Sequence, residues 1–379
     1  MRHFHVILVL ITLIGTACNR STLKIEAVPF GTLSTGEAVS LYHLTNRSGA
    51  SVDVIDYGCR LVSISVPDCD GRLDDVVMGY GDIESFEHGS ERFCGALVGR
   101  YANRINGAKF DLDGKCINLT VNEMLGGKPV HLHGGNKGFD RVIWKGEMLS
   151  EEGRVGVRFS YLSPDGEEGY PGNLACEVTY WWSEDNILRI EYAATTDCPT
   201  VVNLSNHAYF NLKGQQGGYV MDHILQVDAD YYLKNNEQFV PEGEALPVEG
   251  TPLDMRDPHR IDYAIDTPNE HIRTMRGFSV CWPLRNWTGE LSRAASLWER
   301  RSGRGVDVWT TEPGLLTYTG RNLSESIIGK GKRPLEKFGG MLLETLHFPD
   351  SPNRPDFPST VLRPGQHYFS ITEFRFYVK

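Results

Sequence analysis

At 379 residues, with 40% apolar and 23% charged side chains, the chain has the composition of a globular protein with a substantial core, not of a disordered or fibrous one. Its net charge is −11 and no basic run interrupts it, so the clustered positive charge that nucleic acid demands is missing. Forty glycines, sixteen tyrosines and sixteen phenylalanines favour strands and turns over helices.

Residues 1–17 read as an export signal. Arg2 supplies the positive start, Val6 to Ile14 an unbroken apolar run, and Gly15-Thr16-Ala17 the small residues of a cleavage site before Cys18. The run is too short for a membrane-spanning helix, which needs ~20 residues. A cysteine directly after such a site resembles the lipobox of bacterial lipoproteins. Cys18 is therefore the candidate lipidated residue, although Gly15 stands where leucine is usual and ordinary signal cleavage would cut at the same place. The expected product is exported, either periplasmic or lipid-anchored, in a bacterium. Seven cysteines remain after Cys18. An odd number leaves at least one unpaired, and no Cys-x-x-Cys signals a zinc site or a redox dithiol. Buried small hydrophobes are the preferred reading, with room for one or two disulfides.

From there the chain is read as one domain, 22–379. Residues 60–66, 155–161, 174–182, 187–193 and 374–378 alternate apolar and polar side chains at spacing two and are rich in β-branched and aromatic residues, which predicts strands. Asp70-Gly71, Asp113-Gly114, Asp165-Gly166, Glu184-Asp185-Asn186 and Ser302-Gly303 predict the turns between them. Residues 294–301 are read as a strand paired with 306–309 across the Ser302-Gly303 turn. Helical turns are expected only at 82–86 and 324–328. The resulting fold class is all-β, a single large antiparallel β-sandwich with few short helices.

No dinucleotide, P-loop, zinc-protease or nucleophile-elbow motif is present. Several polar clusters remain. Gly99 to Ile105 (GRYANRI) carries two arginines and an asparagine, suited to fixed hydrogen bonding of oxygens. His131 and His133 would share a face of a strand; a metal pair lacks a third ligand, and a hydrogen-bonding histidine beside a glycine turn is preferred. If residues 201–210 (VVNLSNHAYF) form one strand, Asn203, Ser205, His207 and Tyr209 share a face of hydrogen-bonding groups that suits a sugar. In 341–348 (MLLETLHF), Glu344 shares a face with Leu342 and Leu346. Desolvation there should raise its pKa and make it a general base for neutral pH.

Taken together, the stretches GRYANRI (99–105), HLHGGNKGFDRVIW (131–144), SPDGEEGYPG (163–172), NLSNHAYFNL (203–212), TPLDMRD (251–257), TTEPGLLTYTGRNL (310–323) and LLETLHFPDSPN (342–353) resemble the aldose 1-epimerase (galactose mutarotase) family, in the family's order. The resemblance implies a large β-sandwich with a sugar groove. It implies His207 as the acid that protonates the ring oxygen and Glu344 as the base at the anomeric hydroxyl. Asn103, Arg104 and His133 would position substrate, with Tyr209 beside them, and Glu312 matches a position near the sugar. No cofactor is required, although some relatives hold calcium near the site. The partner is a small sugar, an aldohexose, and a monomer is the family habit. One position departs: Ser279 stands where relatives usually carry a sugar-binding aspartate, which implies weaker binding or an altered sugar preference. The competing readings are a non-catalytic, exported carbohydrate binder and a glycoside hydrolase, which would need a carboxylic acid where His207 stands. A sugar-phosphate enzyme would need an anion site, and no extra basic cluster in the sequence supplies one.

Overall fold

Alternating segments become strands wherever they can bury one face and solvate the other. The computed structural model describes residues 23–215 and 217–379, so the leader and Cys18 fall outside the described residues. Nine strands form the larger sheet: in spatial order Lys145–Glu151, Arg154–Ser163, Leu174–Ser183, Ile187–Thr196, Tyr368–Val378, Arg304–Thr310, Ser292–Trp298, Ile224–Val227 and His259–Arg260, all antiparallel. A five-stranded sheet runs Ser279–Pro283, Gly314–Tyr318, Met341–Leu346, Tyr209–Phe210 and Val77–Met78. Another five-stranded sheet, built from Lys24–Thr32 through Leu73–Asp75, is a simple meander.

The three sheets share one core. Val178, Leu188 and Ile190 from the large sheet, Trp282, Leu315 and Leu343 from the second, and Val52 and Val54 from the third lie in a single buried apolar cluster. Completely burying a leucine- or valine-sized side chain is worth ~1.5–3 kcal/mol, so this cluster supplies most of the favourable free energy of folding. Turn chemistry fixes the registers. Asp113 and Gly114 both have positive φ (51° and 76°) and close the hairpin of Lys109–Leu112 with Lys115–Asn118, the backbone a two-residue loop needs. Asn186 (φ 57°) does the same between Leu174–Ser183 and Ile187–Thr196. Residues 294–301 fall mostly in the strand Ser292–Trp298, paired with Arg304–Thr310.

Three expectations are corrected. Residues 201–210 are not one strand: pairing is confined to Thr200–Val201, Ser205–Asn206 and Tyr209–Phe210, each with a different partner. Residues 324–328 form a turn closed by Ile327 N–H on the Ser324 carbonyl rather than a helix. Two short helices were not anticipated, Ile261–Asp266 and Glu270–Met275; the second starts where Asn269 accepts the Ile272 N–H, an N-cap that only a reading of capping residues would find. The third short helix, Ile83–His88, is capped by Asp82 as the 82–86 reading suggests. No helix among the described residues is long and apolar enough to cross a membrane. All seven described cysteines are free, and Cys59, Cys94, Cys176 and Cys281 are buried as apolar filler.

Candidate active site

Antiparallel register lays the floor of a cavity on the second sheet. Directly opposed residues point to the same side of a sheet, so Ser279, Tyr318, Leu342 and Tyr209 form one row, each paired with the next. Leu316 and Glu344 are paired in the neighbouring row. Loops close a cavity of about 240 Å³ over this floor, and its walls include Glu91, Arg92, Phe93, Asn103, Arg104 and His133, with His207 beside Tyr209.

Glu344 is 0% exposed, and neither carboxylate oxygen has a hydrogen-bond partner among the described residues. Burial pushes its pKa up to about 8, against the opposing pull of the Arg104 charge. His207 is held by backbone bonds on both sides: its N–H donates to the Ala96 carbonyl (2.8 Å) and its carbonyl accepts the Gly95 N–H (2.9 Å). Its ring sits among those of His133, Tyr209 and Phe93, with centroids 5.1, 5.2 and 5.7 Å away, and Nδ1 is unpartnered. Burial, aided by the charge of Arg60, holds the imidazole down to about 4. The cavity thus sets a carboxyl group and an imidazole, both free to bond a ligand, with pKa values displaced in opposite directions by the same desolvation.

Asn103 and His133 are locked together. The Asn103 N–H donates to His133 Nδ1 (3.1 Å), and the His133 N–H donates to the Asn103 carbonyl (3.0 Å). With Nδ1 accepting, the neutral ring carries its proton on Nε2, and burial keeps it neutral. Both residues have positive φ (64° and 50°), which turns their side chains out of the strand direction. Gly134 follows because a Cβ there would overlap the Gly99 carbonyl oxygen; the close backbone approach is what brings the two motifs together. Arg104 lines the cavity while paired with Glu123 through two bonds (2.7 and 3.1 Å).

Not every singled-out residue reaches the cavity. Arg100 is buried and donates to Ser163 Oγ and to the carbonyls of Ser163, Pro164, Pro171 and Gly172, tying down the 163–172 loop. His131 spends both nitrogens, on the Thr120 carbonyl and the Tyr170 hydroxyl (2.7 Å each), so it shares no ligand with His133, which lies beyond the end of the strand Lys128–Leu132. Asn203 and Ser205 bond to backbone, at Ala102, His347 and Thr345. Glu312 is absent from this cavity. It lies in a separate one, with His347 Nδ1 at 2.6 Å and the Tyr368 hydroxyl at 3.4 Å. The chain bends at 311–313 before the strand begins, so the parity of that strand, which delivers Leu316 and Tyr318 to the floor, does not extend back to Glu312.

Other cavity residues carried no assigned role. Glu91 is pushed up to about 7 by burial and accepts a long hydrogen bond from the Tyr209 hydroxyl (3.4 Å). Arg92, Asn235 and Arg321 also line the space. Tyr318 was readable from strand alternation; the others sit on irregular backbone that has no period. Among the described residues no group of three His, Cys, Asp or Glu side chains is arranged to hold a metal ion.

The family model for aldose 1-epimerase matches residues 40–375. The chain belongs to the aldose 1-epimerase family. Galactose mutarotase from Rattus norvegicus is 39% identical over 357 residues, covering 94% of this chain and 99% of the relative. Aldose 1-epimerase from Escherichia coli (strain K12) is 34% identical over 343 residues, 90% of this chain and 96% of the relative. Among solved structures, galactose 1-epimerase from Lactobacillus acidophilus superposes with a TM-score of 0.81 at 25% identity, over 94% of this chain and 99% of that one. A Caenorhabditis elegans family homologue gives 0.80 at 28% identity, over 90% and 99%.

Proposed function

We propose that the protein is an isomerase interconverting the α and β anomers of an aldose, with Glu344 and His207 as its acid/base pair. The carrying observation is that these two side chains, 137 positions apart in sequence (344 − 207), line one sugar-sized cavity with unsatisfied polar atoms facing no protein partner. Ring opening takes a proton from O1–H to the Glu344 carboxylate, forms the C1=O bond, breaks C1–O5, and delivers a proton from the His207 imidazolium to O5. Rotation about C1–C2 and the reverse transfers close the ring on the other face. In this reading His133 Nε2–H, Asn103 and Arg104, which line the cavity, hold the sugar oxygens, and Tyr209 packs against His207. A glycoside hydrolase would need a second carboxylic acid in His207's role, and of the cavity's other carboxyls Glu91 faces Tyr209 and Glu123 is paired with Arg104. The test is polarimetry of freshly dissolved α-galactose and α-glucose: first-order approach to rotational equilibrium accelerated by enzyme supports the reading, and a rate equal to the buffer's sinks it.

Ser279 lines the cavity with a hydroxyl where the family pattern expects a carboxylate. Charge-assisted hydrogen bonds are roughly twice as strong as neutral ones. Ser279→Asp should therefore lower KM for galactose by at least threefold; an unchanged KM would show that the position makes no contact with the sugar. We also infer from the leader 1–17 an exported protein anchored through Cys18, and from the family habit a monomer. Labelling of cells with a fatty-acid probe should mark the wild type and not Cys18→Ala, and an unlabelled wild type removes the anchor.

A further inference from the structure

Three arginines line the cavity, and two of them are committed. Arg92 is clamped on Asp140 (2.6 and 2.7 Å), and Arg104 on Glu123. Arg321 is different. Its Nη1 donates to the Met275 carbonyl, and its guanidinium lies 4.7 Å from the Phe239 ring centroid and 5.8 Å from that of Tyr318. Among the described residues no carboxylate lies within ion-pair distance of it. Burial lowers the pKa of Arg321, with the Arg104 and Arg276 charges helping and Tyr318 and the more distant Glu123 carboxylate opposing.

The nearest carboxylate that acts on it, Glu123, is bonded to Arg104. Arg321 follows the strand Gly314–Tyr318, beside Ser279–Pro283: Ser279 is paired with Tyr318, and the Thr319 N–H donates to the Phe278 carbonyl (3.1 Å). Ser279, on the neighbouring strand, brings no charge to the cavity. Asn235, in the same wall, presents a buried Oδ1 with no partner, its Nδ2 being turned to Met275 Sδ (3.5 Å). Phe239, Leu316 and Met275 complete that end with apolar surface. It therefore offers one planar cation, neutral hydrogen-bonding groups and an apolar wall.

We propose that this end of the cavity binds the carboxylate of an acidic aldose, so that the protein prefers hexuronic acids to neutral hexoses. The inference rests on the mutarotase reading for turnover, though not for binding. A guanidinium pairs with a planar carboxylate through two parallel hydrogen bonds. A uronate keeps the C1 hemiacetal that the acid/base pair acts on and carries its charge outside the reacting bonds. Arg321 offers a single fork, which fits a single carboxylate; a phosphate dianion would call for more donors.

The experiment compares anomerisation of glucuronate, galacturonate, glucose, galactose and glucose 6-phosphate, alongside calorimetric binding of glucuronate. The uronates should show kcat/KM at least tenfold above the matching neutral hexoses. Arg321→Gln should lower that ratio at least tenfold, and Arg321→Lys should retain part of it. The proposal is overturned by a preference for neutral hexoses, by a ratio that Arg321→Gln leaves unchanged, or by a preference for the 6-phosphate. If glucuronate binds in an Arg321-dependent way and no sugar is turned over, the carboxylate site stands and the mutarotase reading falls. Failure of both binding and turnover removes both.

Discussion

Replacing His207 by alanine lowers kcat for mutarotation by ~10²–10⁴-fold, and replacing Glu344 by glutamine does so to a similar extent, because each removes one of two positioned proton-transfer groups. The double variant should fall far short of the product of the two losses. Opening the ring needs a proton removed and a proton delivered in the same event, so groups that act as a unit lose most of their value when either is gone. Stopped polarimetry on purified, folded variants measures this. A His207→Ala enzyme within threefold of wild type would assign proton delivery elsewhere, with Glu91, half-buried and with a pKa of about 7, as the next candidate to mutate.

The pH dependence follows from the same two groups. With Glu344 at about 8 and His207 at about 4, the empty cavity holds one proton between them from about pH 4 to about pH 8. The prevailing arrangement is a carboxylic acid and a neutral imidazole. The arrangement that opens a ring by the proposed route, carboxylate and imidazolium, has the same proton count and lies roughly 5 kcal/mol higher in the empty site, from about four pKa units at 1.36 kcal/mol each. Bound sugar hydroxyls supply the hydrogen bonds that favour the charge-separated form; the pull of Arg104 is already part of the balance that leaves Glu344 at about 8. A plateau in kcat/KM between those limits is consistent with either arrangement, since it reports the pair and not one residue.

How far the site could be read from the sequence depended on whether strand parity reached it. Glu344 and Leu342 were placed on one face by spacing alone, and register then put them on the floor. His207 and Tyr209 were found although the strand assumed for them does not exist; irregular backbone at 207–208 still leaves both side chains on the cavity side, whereas Asn203 and Ser205 bond to neighbouring backbone. Glu312 failed for the complementary reason, since a bend separates it from the strand whose parity would have carried it in. Arg321 and Glu91 lie on loops, where position is set by contacts far away in sequence: Arg321 by Met275 and Phe239, Glu91 by Tyr80 and Tyr209. Local pattern holds no trace of such contacts. The unpaired state of Arg321 is likewise a three-dimensional fact, visible only once Arg92 and Arg104 have found their partners.

Glu344→Gln should make the protein more stable at alkaline pH while removing activity. The ordinary glutamate pKa is 4.5, and the folded value is about 8, so between these limits the folded protein binds more protons than the unfolded chain. Stability therefore falls as pH rises through that window, by on the order of 5 kcal/mol in full, because folding at pH 8 must either desolvate a carboxylate or keep a proton that water would take. Glutamine has no charge to bury. Denaturant melts at pH 6.5 and pH 8.5 isolate the effect: His207, whose folded pKa is lowered, costs stability only as pH falls below about 6.5, and Glu91 titrates alike in both proteins. The advantage of Glu344→Gln over wild type should grow by about 2 kcal/mol between the two pH values. A difference that does not change with pH would mean that water or a rearranged neighbour solvates the carboxylate, and the case for a base activated by desolvation would go with it. A growing advantage would identify the destabilising charge as the one that function requires, the trade expected where a catalytic group is held in surroundings that do not suit it.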